Sequence, residues 1–251
     1  MKLAIAAVLA ATASAFAPIA TQKASTALYE NKADLEALAK SSNPAIGFWD
    51  PWGLADQEFW GDGNEATIGY IRESELKHGR IAMFAFVGYC VHANGITWPW
   101  AMQMDGTPFP KVSNAPEAWD AISEEARLQI LLFIGFLEYW NEACRGPGNH
   151  YMRGGRPGDF PDFDASIIPG GALNLFDPTG NSKKLSDEEK QKGLVKELNN
   201  GRLAMIGIFG FLAEGKIEGA VPLLKGVIPH YDGDIMAPLA TSVIPKFPEL
   251  F

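Results

Sequence analysis

ELKHGRIAMFAFVG, residues 75–88, returns as ELNNGRLAMIGIFG at residues 197–210. A constant offset of 122 residues aligns the two segments with seven identities in fourteen positions. Both segments are free of proline and are compatible with helices. A looser echo precedes each copy, where Asp50 and Asp177 each stand directly before a proline. The repeat predicts two helices of one design, each introduced by an Asp-Pro turn and related by an approximate two-fold axis.

The charged residues of the repeat predict that these two helices cross. Glu75 and Arg80 are five residues apart, or about 140° around a helix, so Arg80 cannot neutralise its own glutamate. In a crossed pair, Arg80 meets Glu197 and, by the same symmetry, Arg202 meets Glu75. Such pairing removes the cost of isolated charges in a membrane. Small residues on the same segments allow close approach of the backbones: Gly79, Ala82, Gly201 and Ala204.

The same turns of the repeat carry candidate metal ligands. Glu75 and His78 lie three residues apart and share a helix face, and Glu197 and Asn200 repeat that spacing. A paired carboxylate keeps a free oxygen, and a histidine or asparagine adds one lone pair, which suits the single axial position of a chlorophyll magnesium. Glu-x-x-His also builds di-iron sites in helical bundles, but the second copy has Asn200 where such a site needs histidine. Solvated surface residues of a soluble helix are the other alternative.

Three apolar stretches, about 68–92, 127–143 and 194–217, are the predicted helices. None passes a simple test for a membrane span, because the uncharged core of the third is shorter than about 18 residues, so a soluble bundle stays open. The distribution of basic residues favours three membrane spans. Lys111 is the only Lys or Arg in the loop 93–126, whereas the loop 144–193 is rich in Arg and Lys. We therefore expect an all-α membrane protein with three transmembrane helices, the first and third crossed, and the N-terminus on the side of the 144–193 loop.

The ends of the chain and its composition narrow the class further. An apolar run and an Ala-Ser-Ala cleavage pattern predict a signal peptide over 1–15. Residues 16–29 lack Asp and Glu and resemble an organelle transit segment, which leaves 30–251 as the mature domain, although an ordinary secreted protein is the alternative. The net charge of −9 disfavours nucleic-acid binding. Cys90 and Cys144 lie in apolar segments and predict buried thiols.

ESELKHGRIAM and VKELNNGRLAM resemble the first and third transmembrane helices of the light-harvesting chlorophyll a/b- and a/c-binding family, over about 47–239. The resemblance implies chlorophyll ligands and two arginine counter-ions, Arg80 and Arg202. It also implies that the turns at Asp50 and Asp177 hold the ends of two carotenoids. The middle helix resembles the second span of the family, although plant members place an arginine where this chain has Asn141. The implied ligands are Glu75, His78, Glu138, Glu197, Asn200 and Glu214, with His92 and His230 as further candidates.

Two segments resemble a particular branch of that family. Phe16 after the cleavage pattern is similar to the plastid presequences of diatoms, and NHYMRGGRPGDFP (149–161) resembles antennae of the red-plastid lineage. These likenesses imply a thylakoid antenna with a stromal N-terminus that binds chlorophyll a, chlorophyll c and fucoxanthin or a related carotenoid. It would pass excitation to a photosystem core, with photosystem I favoured over photosystem II. Other antenna subunits and thylakoid lipids would be its further partners. We expect that the protein is not an enzyme. The alternatives are a photoprotective quencher of the same family and a soluble helical metal-binding enzyme.

Overall fold

A computed structural model describes residues 31–112, 114–146, 148–161, 163 and 179–234. The regular secondary structure of these residues is helical, and an isolated bridge pairs Ala101 with Pro108. The predicted presequence, 1–29, and Asp177 lie outside the described residues. The α-helices are α1 (Lys32–Ser42), α2 (Asn64–Ala93), α3 (Glu117–Ala121), α4 (Glu124–Ala143) and α5 (Asp187–Lys216).

All three long helices begin earlier than the apolar pattern predicted, at 64, 124 and 187 instead of about 68, 127 and 194. Their first turns are polar, so hydrophobicity alone places the start too late. The caps explain two of the true boundaries. Ser123 accepts a hydrogen bond from the amide of Ala126 at 3.3 Å and starts α4. Ser186 and Glu189 form a reciprocal capping box at the start of α5.

Helices α2 and α5 meet at two glycines that occupy the same place in the repeat. A Cβ on Gly79 would lie 3.1 Å from the Gly201 Cα, and a Cβ on Gly201 would lie 2.9 Å from the Gly79 Cα. The flanking buried side chains are also repeat partners: Leu76 with Leu198, and Ala82 with Ala204. Because each contact is matched by its counterpart, the approximate two-fold axis passes through the glycine contact.

Large apolar side chains cover the outside of the crossed pair. Phe84 is 81% exposed and its repeat partner Ile206 is 72% exposed. The exposed stripe occupies the same repeat positions in both helices. Its residues are Ile81, Phe84 and Val87 on α2, and Leu203, Ile206 and Phe209 on α5. By a hydropathy criterion, none of the helices in the described ranges is long and apolar enough to cross a membrane.

The remaining elements are attached to the crossed pair by specific contacts. Helix α1 lies against α5, where the Asn199 side chain donates to the carbonyl of Ser42 at 3.1 Å. The 3₁₀ turn Tyr151–Arg153 lies directly on α2. A Cβ on Gly69 would stand 2.2 Å from the carbonyl oxygen of Tyr151, so no larger residue fits there without movement.

Candidate functional site

The structure brings together the two crossed ion pairs of the repeat. Arg80 Nε donates to Glu197 Oε1 at 2.6 Å. Arg202 Nε donates to Glu75 Oε1 at 2.8 Å. Arg80 also donates from Nη1 to the carbonyl of Gly158 at 2.6 Å, which ties the 151–158 loop to the crossing. Each glutamate of the repeat therefore has its counter-ion on the other helix.

Glu75 has a second cation that the sequence interpretation missed. Arg72, one turn earlier on α2, hydrogen-bonds through Nη1 to Glu75 Oε2. Both oxygens of Glu75 therefore accept an arginine, and the expectation of one unengaged oxygen is wrong at this residue; one lone pair on each oxygen remains. Glu197 keeps an Oε2 without a hydrogen bond among the described residues. The i, i+3 spacing of Arg72 and Glu75 is the sequence signal that could have found this contact.

The two neutral candidate ligands face outward at equivalent positions. His78 Nδ1 lies 2.7 Å from the carbonyl oxygen of Ser74, and since a carbonyl only accepts, Nδ1 carries the proton. The lone pair of His78 is consequently on Nε2, on an exposed ring. Asn200 is exposed, and its side chain makes no hydrogen bond within the described part of the chain. Each of the two residues therefore offers one donor atom toward the exterior.

Glu138, the candidate ligand on α4, has a cation from another helix. Lys77 on α2 donates from Nζ to Glu138 Oε2 at 2.7 Å, and the Glu138 side chain is 53% exposed. Its Oε1 has no hydrogen bond among the described residues. No cation of α4 itself reaches Glu138 in those residues, since Asn141 replaces the expected arginine. Lys77 is a functional candidate that sequence reasoning missed, because only the packing of α4 against α2 reveals the pair.

A buried polar cluster anchors α4 and the following loop to α2. Glu73 is 3% exposed; its Oε1 accepts from Arg145 Nη2 at 2.8 Å and its Oε2 from the Gly158 amide at 2.6 Å. Arg145 also donates from Nη2 to Asn141 Oδ1 at 2.8 Å. Arg145 and Glu73 therefore form a buried ion pair.

Glu214 is held by the backbone of the turn that follows α5. It is 3% exposed, and its two oxygens accept the backbone amides of Gly219 at 2.9 Å and Val221 at 2.8 Å. Lys216, two residues later, donates instead to the carbonyl of Asp232 at 3.1 Å. Glu214 thus closes the turn after α5, and a ligand role for it stays a prediction.

The other predicted residues lie apart from the crossing. His92 is exposed in the last turn of α2 and makes no side-chain hydrogen bond within the described ranges. His230 is exposed, with Nε2 2.8 Å from Asp232 Oδ1. Asp50 accepts the amides of Ala55 at 2.9 Å and Leu54 at 3.0 Å, and these bonds hold its pKa below the usual value. Asp50 therefore organises its own turn, as an Asp-Pro turn requires.

The described residues contain no set of side chains that could bind a metal ion through several ligands. No group of three or more His, Cys, Asp or Glu side chains there could hold a metal ion. The di-iron alternative needs such a group. The donors found instead stand singly, each beside a cation or on an exposed helix face.

The chain matches known proteins over most of its length. The family model described as Chlorophyll A-B binding protein matches residues 34–216. The fucoxanthin-chlorophyll a-c binding protein of Trieres chinensis is 36% identical over 231 residues, 89% of this chain and 98% of that protein. Fucoxanthin-chlorophyll a-c binding protein F of Phaeodactylum tricornutum is 37% identical over 218 residues, 86% of this chain and 96% of that protein. Protein F of Macrocystis pyrifera is 32% identical over 173 residues, 69% and 71% of the respective chains. The chain that crosses its two repeat helices at Gly79 and Gly201 thus belongs to the chlorophyll a/b binding protein family.

Proposed function

We propose that this protein is a light-harvesting antenna, and no enzyme, that binds chlorophyll a, chlorophyll c and fucoxanthin or a related carotenoid. Excitation passes from these pigments to a photosystem. The similarity to the fucoxanthin-chlorophyll a-c binding proteins of Trieres and Phaeodactylum supports the pigment set. One observation carries the proposal: single donor atoms that face outward lie on the same helices as exposed apolar stripes.

The donors fit the magnesium of chlorophyll. That ion, already held by four ring nitrogens, takes a hard axial donor from the protein. His78 offers Nε2, Asn200 its amide oxygen, and Glu197 a carboxylate oxygen whose charge Arg80 offsets. A neutralised carboxylate binds magnesium without leaving net charge in an apolar layer. Bound chlorophyll supplies the light absorption, and the side chains fix where each pigment stands.

The exposed apolar surface fits pigment rings and lipid tails. A soluble monomer rarely exposes contiguous apolar patches of more than a few hundred Å². Here α4 is fixed to α2 by polar contacts near its C-terminal end, and apolar side chains along its length are exposed, among them Leu128, Leu132, Phe133 and Phe136. Carotenoids and chlorophylls would cover these side chains and the stripes of α2 and α5.

The proposal places α2, α4 and α5 across the thylakoid membrane. The 30 residues of α2 and of α5 span about 45 Å, and the 20 of α4 about 30 Å, close to the thickness of a hydrocarbon core. The charges that lower their mean hydropathy include those paired at the crossing. The Arg- and Lys-rich loop puts the N-terminus on the stromal side, with residues 1–29 removed on import. Attachment to photosystem I is supported by the resemblance of the loop 149–161 alone.

Reconstitution tests the proposal. The full-length chain, refolded in detergent with a pigment extract from a diatom plastid, should yield a complex in which light absorbed by fucoxanthin and chlorophyll c is emitted by chlorophyll a. Glu75→Ala and Glu197→Ala should each lose chlorophyll and heat resistance, whereas Glu124→Ala, an exposed change at the start of α4, should keep both. A colourless wild-type product, or both variants with a full pigment complement and unchanged heat resistance, would refute it. The fluorescence lifetime of the same complex separates harvesting from quenching.

A further inference from the structure

We infer that Lys77 is the positioning residue that neutralises Glu138 and leaves one of its oxygens free for chlorophyll magnesium. This inference rests on the proposed function, because it specifies how one pigment site of that antenna is completed.

Helix α4 offers Glu138 no cation of its own in the described residues. One turn on stands Asn141, which is 1% exposed and donates to Glu73. Arg145 has its guanidinium committed: Nη2 to Glu73, Nε and Nη2 to Asn141, and Nη1 to the carbonyl of Arg156. The cation for Glu138 must therefore come from another element.

Lys77 supplies that charge from α2. Its Nζ lies 2.7 Å from Glu138 Oε2, 3.7 Å from Glu142 Oε1 and 3.9 Å from Glu73 Oε1. The last two carboxylates have other donors. Glu73 accepts from Arg145, and Glu142 from the Tyr151 hydroxyl and from His150. Lys77 is therefore the closest hydrogen-bond donor to Glu138. It does not need Glu73 or Glu142 as its ion-pair partner.

The repeat shows that this lysine belongs to α4 and not to the crossing. The residue equivalent to Lys77 in the second copy is Asn199, whose side chain donates to the carbonyl of Ser42 in α1. The residues at the helix crossing are the same in both copies. The position of Lys77 differs between the copies, and so does the helix packed beside it, which is α4 in the first copy and α1 in the second. A lysine stands only where α4 presents Glu138.

Removing the ammonium leaves an unpaired carboxylate beside two others. Glu142 follows Glu138 by one turn and repels it. A free negative charge in an apolar layer is costly, so the carboxylate would turn toward water, and that change removes the magnesium ligand. An uncharged ligand at position 138 needs no such partner.

The test is a cycle of variants of the full-length chain, reconstituted with chlorophyll a, chlorophyll c and fucoxanthin. Lys77→Met and Glu138→Ala should each lose the same single chlorophyll per protein, seen in pigment extracts and as the same band in difference absorption spectra. Lys77→Arg should retain that chlorophyll. Lys77→Met combined with Glu138→Gln should regain it, a rescue that a purely structural role of Lys77 would not produce. Lys32→Met, which removes an exposed lysine paired with Asp56, is the control and should lose nothing.

The outcomes separate this inference from the antenna function. Lys77→Met with a full pigment complement, or a double variant that fails to regain the chlorophyll while remaining helical, overturns the role of Lys77. Glu138→Ala with full pigment, while Glu75→Ala and Glu197→Ala lose theirs, also overturns it and leaves the antenna standing. A wild-type chain without pigment overturns both.

Discussion

Replacing Gly79 by alanine should loosen the crossing of α2 and α5. The added Cβ would lie 3.1 Å from the Cα of Gly201. Carbon atoms prefer a separation of about 3.5–4.0 Å, so the backbones must part by roughly 0.5–1 Å. Overpacking of this kind costs about 1–3 kcal/mol. Alanine also favours a helix over glycine by about 1 kcal/mol, which would mask part of the loss in a simple comparison with wild type.

A matched glycine removes that complication. Gly88 lies on the same helix with no atom within 4 Å of its Cβ position, and Gly193, which is equally open, serves as the control on α5. Helix propensity therefore cancels, and Gly79→Ala should be about 1–3 kcal/mol less stable than Gly88→Ala. Gly201→Ala should show the same deficit against Gly193→Ala. Denaturant titration followed by far-UV circular dichroism in one detergent gives the free energies of unfolding. Equal stability within both matched pairs would refute the proposed glycine contact.

Two further predictions concern polar groups outside the crossing. Arg145→Met leaves the carboxylate of Glu73 buried without its cation and should lower the free energy of unfolding by about 3–5 kcal/mol, measured by the same titration. Adding Glu73→Gln should recover most of that loss; a single variant as stable as wild type would contradict the buried pair. Burial and a hydrogen bond to Asp120 raise the pKa of Tyr231 to about 12 from an ordinary 10.0. The fold thus favours the neutral phenol, so this contribution to stability is complete below pH 10.0 and is lost as the pH rises through about 12. In ultraviolet titrations, the phenolate absorbance missing from Tyr231→Phe should appear well above the ordinary pKa of 10.0, and a step at that ordinary pKa would contradict this.

The sequence predicted the crossing because its determinants are local and occur twice. The angle between Glu75 and Arg80 on one helix forbids an internal pair, and a second copy offers the missing partner at once. The family assignment followed from the same residues. Helix starts were placed late because capping depends on polar residues such as Ser186, which hydrophobic periodicity does not register.

The missed contacts depend on distances between helices that no spacing encodes. Lys77 and Glu138 are brought together only when the C-terminal end of α4 meets α2. The bonds of Glu214 are not visible in the sequence because its partners are two backbone amides of a turn, and every residue type except proline supplies such amides. Arg72 is the exception, since its spacing from Glu75 was visible in the sequence and was not used.

The departures from the repeat decide where the middle helix lies. A perfectly repeated pair would present two equivalent sides, and nothing in it would prefer one for α4. The positions at which the two copies differ include Arg72, Glu73 and Lys77, where the second copy has Leu194, Val195 and Asn199. Glu73 and Lys77 make the contacts to α4, and Glu73 also binds the 151–158 loop. Shared residues therefore build the crossing, while the unshared Glu73 and Lys77 place the third helix, and with it Glu138, on one side only.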